Sequence, residues 1–129
     1  MFEILRCDKG NNPVIKEYPS AAATFAVGEV AVVSSGVISK ASGTAKPAFV
    51  VCEKGTKTTA NVVAVNPIYP HMEFVTTFYG DGSSLVAGDK VTIHTDSAQV
   101  TATTTNGVAT IVKKLGSGAS GTSVVVKFE

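Results

Sequence analysis

Apolar residues in this chain fall into short runs separated by turns rich in glycine and serine, and the same succession of runs occurs twice. The turn at residues 27–30, in which an acid follows Gly28, recurs at residues 87–91 around Gly88, and the two glycines are 60 residues apart (88 − 28). The runs that follow are residues 31–33, 37–38, 48–52 and 62–65 after the first turn, and 92–93, 100–102, 108–112 and 124–126 after the second. The pattern predicts two pseudo-repeated halves, about residues 25–66 and 85–129, in a single β domain over residues 25–129. Glu29 and Asp89 are expected to accept backbone hydrogen bonds at the two turns.

From residue 25 onward no stretch has apolar residues at i, i+3, i+4 and i+7 between capping residues, and Val, Ile, Phe and Thr dominate. Asp81-Gly82 is a hairpin signal between the runs at residues 74–79 and 85–86, and Asn106-Gly107 divides two later runs. Residues 116–121 are typical of a flexible loop. Many short strands at close spacing predict an all-β fold, a small β-barrel or β-sandwich with very little helix.

Residues 1–24 differ from the rest and are interpreted as an N-terminal arm. Within it, residues 2–5 and 14–18 are apolar enough for two short strands, and residues 10–13 between them carry a turn signal. Two hypotheses follow: the arm binds a partner, or it completes the fold of its own domain.

Composition narrows the class of protein. A chain of 129 residues fits one domain, and its 16% of charged residues compares with about 25% in ordinary globular proteins. Such a surface is either covered by a partner or by sister subunits, or polar through Thr and Ser without being charged. A net charge of +1 argues against nucleic acid and anionic membranes as partners. The first residues lack a secretory signal and no run is long enough to span a bilayer, so we expect synthesis in the cytoplasm.

Candidate catalytic and metal-binding residues are scattered. His71 and His94 lack the spacing of zinc ligands, and no calcium loop or nucleophile elbow is present. Cys52 lies in an apolar run and is interpreted as a core residue, with Cys7 incidental, although a disulfide between them stays open. We therefore expect no enzyme activity, no cofactor and no metal site.

The residues argue against a nucleic-acid binding protein and against a biotinyl or lipoyl carrier. The aromatic residues Phe74, Phe78 and Tyr79 could stack on nucleobases, but no Lys or Arg lies between residues 57 and 90, which favours the core or a subunit contact. Paired turns also occur in biotinyl and lipoyl carrier barrels, but the neighbours of Lys54 and Lys114 lack the context of a modified lysine.

The order of elements resembles that of the small head-decoration, or cement, proteins of tailed bacteriophages. The matching segments are residues 25–30, 36–38, 46–51, 87–91, 107–109 and 124–128. The resemblance implies a β-tulip-like domain on the outer capsid surface of a virion, without catalytic residues or a cofactor. It also implies that the protein bridges subunits of the major capsid protein and forms a homo-oligomer, with a trimer favoured.

Six residues are candidates for capsid or subunit contacts. Phe2, Ile4 and Leu5 in the arm could extend an exposed sheet edge of the capsid protein. Ile68, Tyr69 and Met72 lie in a proline-containing segment between the halves, which packs either at an interface or in the core of the domain.

Two other functions compete with capsid decoration. A carbohydrate-binding or host-binding β module of a phage tail or fibre would use Tyr69, Tyr79 or Phe78. A small barrel enzyme is the third alternative and would need carboxylates or histidines gathered in a pocket.

Overall fold

The protein is built from β-strands throughout the residues that the structure describes. The computed structural model describes residues 1–7 and 14–129. The strands are β1 (Glu3–Arg6), β2 (Lys16–Pro19), β3 (Ala23–Phe25), β4 (Val30–Ser34), β5 (Val37–Lys40), β6 (Phe49–Val51), β7 (Gly55–Lys57), β8 (Val62–Pro67), β9 (Glu73–Tyr79), β10 (Lys90–Val91), β11 (Val100–Thr101), β12 (Ala109–Lys114) and β13 (Ser123–Lys127). The all-β prediction is confirmed, and no helix occurs in the described ranges.

The strands form two main sheets and a small ribbon. The first sheet has the order β2-β8-β6-β4-β5, the second has the order β1-β9-β13-β12-β10, and β3 pairs with β7. Each sheet curls until its ends meet in a parallel contact, which joins Ser20 to Ile38 in the first sheet and Phe78 to Val100 of β11 in the second. These contacts are too short to close a barrel, so the fold is a pair of curled sheets.

The repeated turn of the sequence is a repeated structure. Gly28 and Gly88 have φ angles of 85° and 95°, a region that glycine adopts without steric cost. The amide of Gly28 donates to the carbonyl of Val51, and the amide of Gly88 donates to the carbonyl of Ile111, each over 2.8 Å. Because donors and acceptors are both 60 residues apart (88 − 28 and 111 − 51), the two corners are the same structure.

The acidic residue of each turn holds its corner together. The carboxylate of Glu29 accepts the amide of Ala26, and the carboxylate of Asp89 accepts the amide of Val86 over 2.9 Å. The prediction that these acids accept backbone hydrogen bonds is confirmed. Glu29 is also buried and forms an ion pair with Lys40 over 2.6 Å, so the first corner is tied more firmly to its sheet.

The repeat includes the strand order of the sheets as well as their corners. Strands β2, β8, β6, β4 and β5 follow one another across the first sheet as β9, β13, β12, β10 and β11 do in the second half. The repeat is present in the structure, but its two units begin at β2 and at β9, earlier than the predicted starts at residues 25 and 85. Strand β1 is added to the outside of the second unit, next to β9.

Two hydrophobic clusters share strand β6. The smaller cluster lies inside the first sheet and contains Phe25, Ala31, Ile38, Phe49, Val51, Val63 and Val65. The larger cluster belongs mainly to the second half but also contains Val30 and Val50. Since side chains alternate along a strand, Phe49 and Val51 face one cluster and Val50 faces the other. This burial on both faces accounts for the continuous apolar run at residues 48–52.

Both predicted strands of residues 1–24 exist, but they belong to different sheets. Strand β1 pairs with β9, whereas β2 pairs with β8. They therefore do not pair with each other across a turn, and the turn predicted at residues 10–13 lies outside the described residues. Each strand of the segment is hydrogen-bonded to a strand of the body.

One turn prediction is wrong and another is confirmed. Residues 80–83 do not connect a hairpin, because the next segment forms no strand and instead buries Leu85. The amide of Gly82 donates to the carbonyl of Gly118 over 2.7 Å, which ties this turn to the loop at residues 116–121. The turn at Asn106 and Gly107 is present, with a φ of 54° at Asn106.

Candidate functional site

Two of the six predicted contact residues are part of the core. Phe2 and Met72 are each 2% exposed. The ring of Phe2 lies 5.5 Å from the ring of Phe128, and the sulfur of Met72 accepts the amide of Tyr69 over 3.1 Å. The contact hypothesis is corrected for this pair, because side chains this deeply buried stabilise the fold and are not accessible to a partner.

The other arm residues lie on β1 at the margin of the second sheet. Ile4 is half-buried, packs against the larger cluster and stands opposite Phe74 of β9. Leu5 is 44% exposed. Of Phe2, Ile4 and Leu5, Leu5 is therefore the residue that is best placed to contact a partner.

Ile68 and Tyr69 line an open groove between the two halves. The groove has a volume of about 490 Å³, and its walls include Pro47 from the first half and Phe128 from the second. The amide of Ile68 donates to the carbonyl of Ala48 over 2.9 Å, which fixes the segment against the first sheet. Among Ile68, Tyr69 and Met72, Tyr69 is the most exposed to solvent, at 47%.

Charged groups close one end of this region. The Nδ1 atom of His71 lies 2.7 Å from a carboxylate oxygen of Glu129, and Lys127 lies 2.9 Å from the other oxygen. The ammonium of Lys127 is the main cause of a lowered pKa at the Glu129 carboxyl. Within residues 1–7 and 14–129, no three His, Cys, Asp or Glu side chains are grouped so as to hold a metal ion.

Tyr79 and His94 form an aromatic stack on the surface. Their ring centroids are 3.7 Å apart and the ring planes differ by 14°. Tyr79 is 55% exposed, whereas its neighbour Phe78 is fully buried and belongs to the core. A local sequence pattern does not reveal this stack, because 15 residues (94 − 79) and strand β10 separate its members.

The remaining perturbed groups have local structural causes. Cys7 and Cys52 are free thiols, and burial is the main cause that raises the pKa of the Cys52 thiol. The pKa of the Glu53 carboxyl is lowered, chiefly because the amide of Ala64 donates to it over 2.9 Å and also because Lys57 pairs with it over 3.0 Å. Because both thiols are free, the alternative of a disulfide between Cys7 and Cys52 is wrong for this structure.

A further exposed feature lies at the start of β2 and at the residue before it. Ile15 is 67% exposed, and Lys16 and Glu17 are also exposed. The sequence predicts a strand here but assigns it no role, because a local pattern does not reveal which edge of a strand remains unpaired. The nearest clue to this edge is the structural repeat, in which this segment corresponds to the start of β9.

Comparisons with known proteins give no family for this chain. A scan against models of protein families, a search of curated proteins and a search of solved structures each found no match. Among the described residues, no helix has the length and apolar character needed to cross a membrane.

Proposed function

We propose that this chain is a structural virion protein that decorates the outside of a tailed-phage capsid and stabilises it by bridging subunits of the major capsid protein. The observation that carries the proposal is the doubled β scaffold with Leu5 and Tyr69 exposed on it. The segments on which the resemblance to head-decoration proteins rests include both repeated corners. The protein is made in the host cytoplasm and acts on the capsid as a homo-oligomer, with a trimer favoured.

The stabilising mechanism follows from linkage. A protein that binds across the boundary between capsid subunits adds contact free energy that must be lost before the subunits separate. An oligomer that touches several subunits gains effective concentration at each further contact. Many weak contacts, distributed over the shell, therefore act together against the internal pressure of the packaged DNA.

The first experiment measures binding to expanded capsids of its own virion. Deletion of the segment up to the end of β1 is unsuitable, because it would remove Phe2 from the core, so the test uses Leu5→Asp and Tyr69→Asp. The unchanged protein should cosediment with capsids to a fixed saturation ratio, and each substitution should weaken binding about tenfold, since a charge enters an apolar contact.

Val33→Asp is the matched control for these variants. Val33 is 51% exposed on β4, and the same substitution there should leave capsid binding unchanged. Absence of cosedimentation by the unchanged protein would contradict the proposed function. Equal losses of capsid binding in all three variants would show that Leu5 and Tyr69 do not form the specific contact with the capsid.

The stack of Tyr79 on His94 favours a second candidate function, recognition of carbohydrate or a host surface by a tail or fibre module. Exposed aromatic rings offer the flat apolar face on which the C–H groups of a sugar ring can pack. Under this hypothesis the protein should bind a glycan array, and Tyr79→Ala should abolish that signal while capsid binding is absent. An array without any signal would remove this candidate.

A further inference from the structure

The added strand β1 covers only one of two equivalent edges in the doubled fold. On one side β9 pairs with β13, and on the other side its first residues, Glu73, Phe74 and Val75, pair with β1. In the first half, β2 pairs with β8 on one side. Strand β2 then stands at the end of the order of its sheet.

The pairing registers show which residues of β2 correspond to the covered part of β9. In the first sheet, Val65 stands between Val51 on one neighbouring strand and Lys16 on the other. In the second sheet, Val126 stands in the same way between Ile111 and Phe74. Val51 and Ile111 occupy the same position in the repeated corner. Lys16 in the first half therefore corresponds to Phe74 in the second half. Ile4 of β1 stands beside Phe74, whereas the structure describes no strand beside Lys16.

The open edge therefore consists of Ile15, Lys16 and Glu17, the counterparts of the three residues that β1 covers. All three are exposed. No ion pair joins Lys16 or Glu17 to another residue in the described part of the chain. An edge that no described strand covers, with an exposed apolar side chain and two charges that form no ion pair among the described residues, is suited to strand addition.

A second copy of this chain is a poor occupant of the edge. When two identical strands pair antiparallel about a two-fold axis, one residue must stand opposite its own copy. Centring the pair on Lys16 opposes two ammonium groups, and centring it on Glu17 opposes two carboxylates. Like charges directly opposite each other destabilise a sheet, and the register centred on Ile15 places Lys16 opposite Val14 without an acidic partner, so no register centred on these three residues pairs both charges of the edge.

We propose that the edge at residues 15–17 accepts an antiparallel strand from a different protein, with a basic, an acidic and an apolar residue in that order. The basic residue stands opposite Glu17, the acidic residue opposite Lys16 and the apolar residue opposite Ile15. Opposite charges and apolar pairs at facing positions stabilise antiparallel strands. The inference does not depend on the partner being a capsid protein.

The test uses two fluorescent peptides that differ only in the order of two residues. One is Ser-Val-Thr-Lys-Asp-Val-Thr-Ser, and the other exchanges its Lys and Asp. The unchanged protein should bind the first peptide about tenfold more tightly by fluorescence anisotropy, and the double variant K16E/E17K should prefer the second by a similar factor. Amide chemical shifts should change along β2.

Lys90→Glu provides the matched control, because Lys90 is exposed on strand β10 of the other sheet. This variant should keep the preference of the unchanged protein. Thermal unfolding of each variant establishes that it is folded, as expected for exposed positions. The inference is overturned if neither peptide binds at millimolar concentration, if the preference fails to invert in K16E/E17K, or if the shift changes lie away from β2.

Discussion

Replacing Gly107 with alanine should destabilise the protein by about 3 kcal/mol, because the new methyl group would collide with the backbone of the opposite strand. A Cβ atom at this position would lie 2.3 Å from the carbonyl carbon of Lys90 and 2.5 Å from the amide nitrogen of Val91. Backbone atoms cannot move aside as a flexible side chain can. The strain would therefore separate β10 from the start of β12 at the second repeated corner. Thermal and denaturant unfolding should show this, with a fall in Tm of about 10 °C.

Gly116→Ala is the control for this prediction. The nearest heavy atom to a Cβ atom at Gly116 is Cβ of Thr122 at 3.4 Å, an ordinary contact distance. This variant should unfold within about 0.5 kcal/mol of the unchanged protein. Equal stability of the Gly107 and Gly116 variants would show that the second corner has more room than the structure gives it.

Phe128→Ala should cost about 4 kcal/mol, because this ring joins β1 and β9 to the larger cluster. Its centroid lies 5.5 Å from that of Phe2 and 5.3 Å from that of Phe74, and the residue is 5% exposed. Truncation removes two aromatic contacts and leaves a cavity beneath β1. Besides the loss measured in denaturant, hydrogen exchange should accelerate first along β1.

Tyr69→Ala is the matched control, since it truncates an aromatic residue that is about half exposed. It should change the free energy of unfolding by about 1 kcal/mol or less. If the two truncations cost the same, Phe128 does not carry the packing of β1, and exchange along β1 should then be unaltered.

The repeat could be predicted from the sequence because its signals are local. An apolar residue, a glycine and an acid occupy consecutive positions in each corner, and the acid side chain bonds a residue three positions earlier. Such short-range chemistry is visible in a few letters of sequence. The Asp81-Gly82 turn was equally local, but tertiary packing of Leu85 prevented the strand that a hairpin requires there.

Strand partners could not be predicted in the same way. Strand β1 pairs with β9, some seventy residues later in the chain, and competes for that edge with other strands of similar apolar character. Side-chain alternation tells which face of a strand is apolar, but it does not identify the neighbour. The sheets to which β1 and β2 belong therefore came from the structure.

The candidate site was predicted in part for a related reason. Phe2, Leu5, Tyr69 and Met72 look alike as apolar residues near turns, and composition does not separate a core residue from a contact residue. Burial separates them, leaving Leu5 and Tyr69 on the surface. The edge of β2 was missed because an unpaired edge is a property of the whole sheet.

The sharing of β6 between the two clusters has a consequence for any partner. Val50 faces the core of the second half while its neighbours face the core of the first, so a hinge between the halves would have to open a packed interior. The separation between the β2 edge and Tyr69 is thus set before binding. A partner that engages both places loses little conformational entropy at the second contact, and one whose two sites are spaced differently is rejected.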